Sequence, residues 1–104
     1  MQRHKKKYAM GDMQDNSFYF RGPGKKLNLK ANNLMIFIQM AEGVDDDTWM
    51  YHLGKKEYSN WFRSAIHDEE LADAVEKIET GEIDPAKSKD SILTLIKERY
   101  TAPA

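Results

Sequence analysis

Ala31–Glu42, ANNLMIFIQMAE, is the stretch on which the fold turns. Leu34, Phe37, Ile38 and Ala41 recur on one side at helical spacing, and Ile36 and Met40 occupy the opposite flank. Asn32, Met35, Gln39 and Glu42 make the remaining polar or tolerant slot. A helix apolar over more than half its circumference is normally surrounded by other elements. The spacing therefore predicts a central helix over 31–42, closed by Gly43 as a left-handed cap.

On its N-terminal side, Ser17-Phe-Tyr-Phe-Arg21 and Lys26-Leu-Asn-Leu-Lys30 both alternate, with Gly22-Pro23-Gly24-Lys25 between them. Proline presets φ for the first central position of a turn, and the following glycine supplies the positive φ that a type II turn requires. This predicts a β-hairpin with Phe18, Phe20, Leu27 and Leu29 on one face, laid on the helices. Gly-Pro-Gly-Lys-Lys is not a phosphate-binding P-loop, because the spacing differs and no Ser or Thr follows the lysines. Residues 1–16 show no apolar periodicity and are expected to form a flexible basic tail. Its Arg3–Lys7 cluster reads as a solvated, solubilising tail rather than a phosphate- or membrane-binding arm.

On the C-terminal side the chain keeps returning to helical spacing. Asp45, Asp46 and Asp47 open a short helix to about Leu53, where carboxylates meet free N–H groups and the positive end of the dipole. Gly54 is expected to stop it, with Lys55-Lys56 as the turn. Ser59 is expected to cap a third helix from Asn60 to about Ile66, with Tyr58, Trp61, Phe62, Ala65 and Ile66 inward and Arg63 outward. Asp68 caps a fourth, to about Thr80, with Leu71, Ala74, Val75 and Ile78 inward. Asp84-Pro85 opens a fifth, to about Tyr100, with Ile92, Leu95, Ile96 and Tyr100 inward. The fold expected is mainly α: a compact bundle of four to five short helices around a central apolar helix, with a small N-terminal β-hairpin. Residues 17–104 form a single helical domain.

Composition narrows the function. The 104 residues suit one domain. With no cysteine, disulfides, thiolate metal sites and cysteine nucleophiles are excluded. Residues 1–30 hold eight Lys/Arg against two acids, and residues 31–104 eight against fifteen, for a net charge of −1. Such a balance does not mark a nucleic-acid binder. The longest apolar run, Leu34–Ile38, is far short of a membrane span. A cytoplasmic protein with neither membrane nor nucleic-acid partner is expected.

The chemistry-bearing residues crowd into Asp45–Arg63, DDDTWMYHLGKKEYSNWFR. The triple acid lacks calcium-loop spacing and reads as capping, so no metal and no cofactor are expected. No activated nucleophile stands out, and a catalytic role is not expected. His52, one turn from Trp49 at the edge of the apolar face, admits two readings. One is a buried histidine whose ring nitrogens are satisfied within the fold. The other is a pocket in which His52, Lys55, Arg63 and Arg21 grip a phosphate or carboxylate, with Tyr58 in reach and Trp49 or Trp61 as an aromatic wall.

FYFRGPGKKLNLKANNL, AEGVDDDTWMYHL, EYSNWFRSAIHDEELA and the closing RYTAPA resemble a small bacterial domain of unassigned function. That domain occurs alone or as a C-terminal extension of haloacid-dehalogenase-superfamily phosphatases. The resemblance spans residues 17–104 and centres on Trp49, His52, Leu53, Tyr58, Ser59, Trp61 and Phe62. The phosphatases' D-x-D-x-[TV] nucleophile motif is missing, so their catalysis does not carry over. What the resemblance implies is a non-catalytic accessory or regulatory interaction module, docking on a protein partner such as a phosphatase. The alternative is a binding domain for a small anionic metabolite such as a sugar phosphate.

Overall fold

A computed structural model describes residues 11, 13, 16–25, 29–81 and 84–100. Strand β1 (Phe18–Phe20) is joined through a 3-10 turn at Pro23–Lys25 to β2 (Leu29–Ala31). Helices α1 (Leu34–Gly43), α2 (Asp46–Gly54), α3 (Glu57–Trp61), α4 (Glu69–Gly81) and α5 (Pro85–Tyr100) follow. The fold is mainly helical with one small antiparallel hairpin, as the sequence pattern predicts. No helix among the described residues is long and apolar enough to cross a membrane.

Helix α1 buries Leu34, Phe37, Ile38 and Ala41, with Ile36 and Met40 packed partly against the core. Phe37 sits in an aromatic cluster, stacked on Trp61 at 5.3 Å and edge-on to Phe18 at 5.4 Å and Phe62 at 5.6 Å. The helix starts at Leu34 rather than Ala31. Asn33 accepts from the Ile36 N–H at 2.9 Å as its cap, while Ala31 still belongs to β2, paired with Phe18. Gly43 takes no positive φ. Val44 closes the helix in extended conformation and is itself buried, and α2 begins almost at once.

Hairpin register pairs Phe18 with Ala31, Tyr19 with Lys30 and Phe20 with Leu29. Phe18, Phe20 and Ala31 are buried, whereas Leu29 lies on the rim at 37 % exposure. Leu27 lies outside the described residues. Gly24, at φ 67° and ψ 14°, occupies the left-handed turn position expected of it. The stretch read as tail is docked at three described residues. Met13 is buried and donates to the Asn32 carbonyl, Gly11 accepts from Asn33 Nδ2, and Asn16 accepts from Trp61 Nε1. Residues 1–10 lie outside the described set.

The α2–α3 corner also differs from expectation. Helix α2 ends at Gly54 and Lys55-Lys56 make the turn, as expected, with Lys56 left-handed (φ 57°), but α3 starts at Glu57 rather than Asn60, so Ser59 lies buried inside the helix and donates to the Lys56 carbonyl. Beyond Trp61 the backbone widens into a π-helical turn over Phe62–Ile66, which ends at a left-handed His67. Asp68 then caps α4 as predicted, accepting from the Leu71 N–H, and is gripped from α5 by Arg99 and Tyr100. Ala72, not Ala74, is the buried alanine of α4. On α5, Ser88, Ile92, Leu93 and Ile96 are buried, while Leu95 and Tyr100 are only partly so.

Candidate functional site

Two periodicities bring polar groups to one place. In β1, Phe18 and Phe20 turn inward, so the alternation puts Tyr19 and Arg21 on the other face, where the guanidinium sits 4.7 Å from the Tyr19 ring centre. Tyr51 on α2 and Lys55, the residue that closes it, are one turn apart, and the ammonium sits 4.6 Å from the Tyr51 ring centre. The Tyr51 side chain, by hydrogen bonding, raises the Lys55 ammonium above the ordinary lysine range, so it stays cationic at any physiological pH. Both pairs border an open cleft of about 510 Å³, within the usual size range of ligand sites. Gly22, His52, Glu57 and Asn60 help to line it.

His52 is only 3 % exposed, with its ring edge-on to Phe18 at 5.4 Å and to Tyr51 at 5.2 Å. Its Nε2 accepts two consecutive backbone N–H groups, from Arg21 at 3.1 Å and Gly22 at 3.2 Å. Those donors place the lone pair on Nε2 and the proton on Nδ1, which lies 2.5 Å from Glu57 Oε1. With Nε2 so occupied, the ring has no lone pair to offer a metal or a substrate in this state. Glu57 is the only carboxylate in the described lining, and it is turned onto His52.

Gly22 makes this close approach possible. Its φ is +74°, and a β-carbon there would lie 2.9 Å from Thr48 Oγ1. Thr48 is held in turn by Asp45, which accepts from its N–H at 3.1 Å and its hydroxyl at 2.6 Å. The bond from the Thr48 hydroxyl, followed by that from its N–H, keeps the Asp45 carboxyl below its ordinary value. The first acid of the triple therefore builds the corner. Among the described residues, no group of three or more His, Asp or Glu side chains is placed to hold a metal.

Of the residues singled out from sequence, His52, Lys55 and Arg21 meet at the cleft. Trp49 and Tyr58 are fully buried, stacked at 4.3 Å. The Trp49 indole donates to Ser88 Oγ and the Tyr58 hydroxyl to the Trp49 carbonyl. Burial, reinforced by Glu79 and Glu57, pushes the Tyr58 phenol far up, so it remains neutral. Trp61 is buried against Phe37 and does not line the cleft. Arg63 does not reach it either. The guanidinium is bound by Asp73 at 2.9 Å and by Glu69 and Glu76 at 3.1 Å, and these carboxylates raise it above the usual arginine range. An arginine that looks outward on a helical wheel has been claimed by the acidic face of α4.

Sequence reasoning did not select Glu57, Gly22, Tyr19, Tyr51 or Asn60. The Tyr-x-Arg and Tyr-x-x-x-Lys spacings were the legible signal for the tyrosines, since each puts a ring and a cation on one face. Comparison of the chain with protein-family models, with curated proteins and with solved structures gives no match.

Proposed function

We propose that this domain is a non-catalytic binding module whose cleft takes the anionic group of a small metabolite, such as the phosphate of a sugar phosphate. The observation that carries the reading is the convergence of Arg21 and Lys55, from the end of a strand and the end of a helix, on one open cleft. Each cation rests on a tyrosine ring and forms no carboxylate ion pair among the described residues, unlike Arg63 and Arg99. The rings hold the charges in place without neutralising them. An entering phosphate or carboxylate would gain charge-assisted hydrogen bonds from both.

Docking on a protein such as a phosphatase is favoured by the sequence resemblance. The large apolar side chains left exposed among the described residues are Leu29 and Met35, little surface beside the roughly 800 Å² per partner of a stable interface. The cleft is therefore the better-supported site. An NMR titration with inorganic phosphate, sugar phosphates and short carboxylates tests it. Shifts are expected at Tyr19, Arg21, Tyr51 and Lys55. An Arg21→Ala/Lys55→Ala variant should bind at least about tenfold more weakly, a loss of about 1.4 kcal/mol or more, while Arg63→Ala should bind like the wild type. Silence at the cleft across the panel would overturn the proposal.

A further inference from the structure

Consecutive backbone N–H groups that converge on one point form an anion-binding concavity, often with one residue at left-handed φ. Arg21 and Gly22 make such a pair: both N–H groups aim at a single atom, and Gly22 has φ +74°. Here the concavity is filled from within the protein by the lone pair of His52 Nε2. A neutral imidazole nitrogen stands where an oxyanion would sit. It can do so only while unprotonated, because a proton on Nε2 would point at two other donor hydrogens.

Resting on the cleft reading above, we propose that the Arg21–Gly22 N–H pair is the cleft's oxyanion-recognition point, and that protonation of His52 opens it. With Nε2 protonated, the latch between α2 and the hairpin turn is lost. Three donors (the two N–H groups and the Nε2 proton) then converge beside Arg21 and Lys55 and call for an anion. The ionisable groups around the ring set the balance. Glu57, on α3, stands against Nδ1 and favours the imidazolium, whereas Lys55, at the end of α2, and Arg21, just beyond β1, oppose it. Tyr58, raised by burial, remains neutral there, and the Tyr19 and Tyr51 rings also line the cleft. A bound oxyanion removes the opposition of the two cations. By reciprocity, the proton promotes anion binding as much as the anion promotes protonation. The ligand class is a tetrahedral oxyanion, such as a phosphate ester, taken up together with a proton.

Sulfate is the probe, since its charge is constant over the working range whereas that of phosphate is not. Sulfate is titrated into the protein across a pH series while NMR follows the ring nitrogens of His52 and the backbone amides of Arg21 and Gly22. Affinity should rise at least tenfold as the His52 ring takes its second proton, with both amides shifting on sulfate addition only in that state. His52→Gln keeps a carbonyl that can accept the two N–H groups but does not titrate, and its sulfate affinity should be flat with pH. If that variant does not fold, Glu57→Gln serves instead: the ring transition and the affinity transition must move to lower pH together. Sulfate binding equally on both sides of the His52 transition, or transitions that separate in Glu57→Gln, would overturn the gating and leave the cleft reading intact. Absence of any sulfate response at every pH would overturn both.

Discussion

Ser88→Ala should be disproportionately costly for the loss of one oxygen. Ser88 and Trp49 are both fully buried, one on α5 and one on α2, and the Ser88 hydroxyl accepts the indole N–H at 2.9 Å. That hydroxyl also donates to the Pro85 carbonyl at 3.0 Å, so its own hydrogen is satisfied. Alanine leaves the indole N–H without a partner where water does not reach it. A buried orphan donor costs about 1–3 kcal/mol. The intrinsic helix preference for alanine over serine returns at most about 0.5 kcal/mol. The net loss expected is about 2 kcal/mol. For a domain of this size that corresponds to a fall in Tm of about 8–16 °C.

The assay is urea unfolding followed by tryptophan fluorescence, with unchanged m to show that the same surface is exposed. A double-mutant cycle isolates the bond, because Trp49→Phe removes the donor along with part of the ring. In that background Ser88→Ala should cost little, giving a coupling of about 1 kcal/mol or more. A Ser88→Ala loss below about 0.5 kcal/mol, within the range of ordinary surface changes, would refute the reasoning. It would mean that α2 and α5 adjust to give the indole another acceptor.

Three further outcomes follow from named contacts. Lys56→Gly should stabilise the domain by up to about 1 kcal/mol in urea unfolding. Relief of a left-handed non-glycine residue gives about 1–2 kcal/mol, offset by glycine's extra unfolded-state entropy and the loss of an exposed 3.7 Å pair with Glu76. Partial burial by itself would push the Asp68 carboxyl up, but Arg99, the Leu71 N–H and Tyr100 together outweigh it and hold the group below its ordinary 3.8. A lowered folded value means stability that is present above the unfolded value and lost as pH falls through the folded one. The stability difference between wild type and Arg99→Ala should therefore be full near neutrality and shrink on acidification below pH 3.8, as pH-dependent unfolding would show. Arg63→Ala, which removes a partly exposed hub of three carboxylates, should cost little stability in urea unfolding, and the cost should shrink in high salt as screening weakens the pairs.

The sequence carried the fold where side-chain period decides the outcome. Leu34, Phe37, Ile38 and Ala41 recur at a spacing that only a helix puts on one face, and they are the residues α1 buries. Asp45, Asp68 and Asp84 were readable as caps because a carboxylate there meets free N–H groups, and each does so. Chain direction at corners was less legible. Gly43 and Gly54 do end α1 and α2, yet Gly43 does not take the left-handed φ expected of it, and that conformation falls instead on Lys56 and His67. A glycine marks where a helix can end but not how the next element packs, and here both Val44 and Ser59 are buried beside the corners.

The candidate site separates along the same physical line. His52, Lys55 and Arg21 were visible because their side chains carry charge or a titratable ring, and the fold brings them to one cleft. Arg63 looked equally free, because a helical wheel shows which way a residue points on its own helix but not which neighbour meets it. Here α4 meets it with Glu69, Asp73 and Glu76. The groups that hold His52 were the least visible, since two of them are backbone N–H groups, which every residue except proline possesses. What distinguishes Arg21 and Gly22 is that both N–H groups reach one imidazole nitrogen, some thirty residues on in the chain. That depends on a glycine at φ +74° pressed against Thr48, itself fixed by Asp45. An acid that reads as a helix cap thus also acts two contacts away from the cleft, by holding the threonine against which the hairpin turn rests.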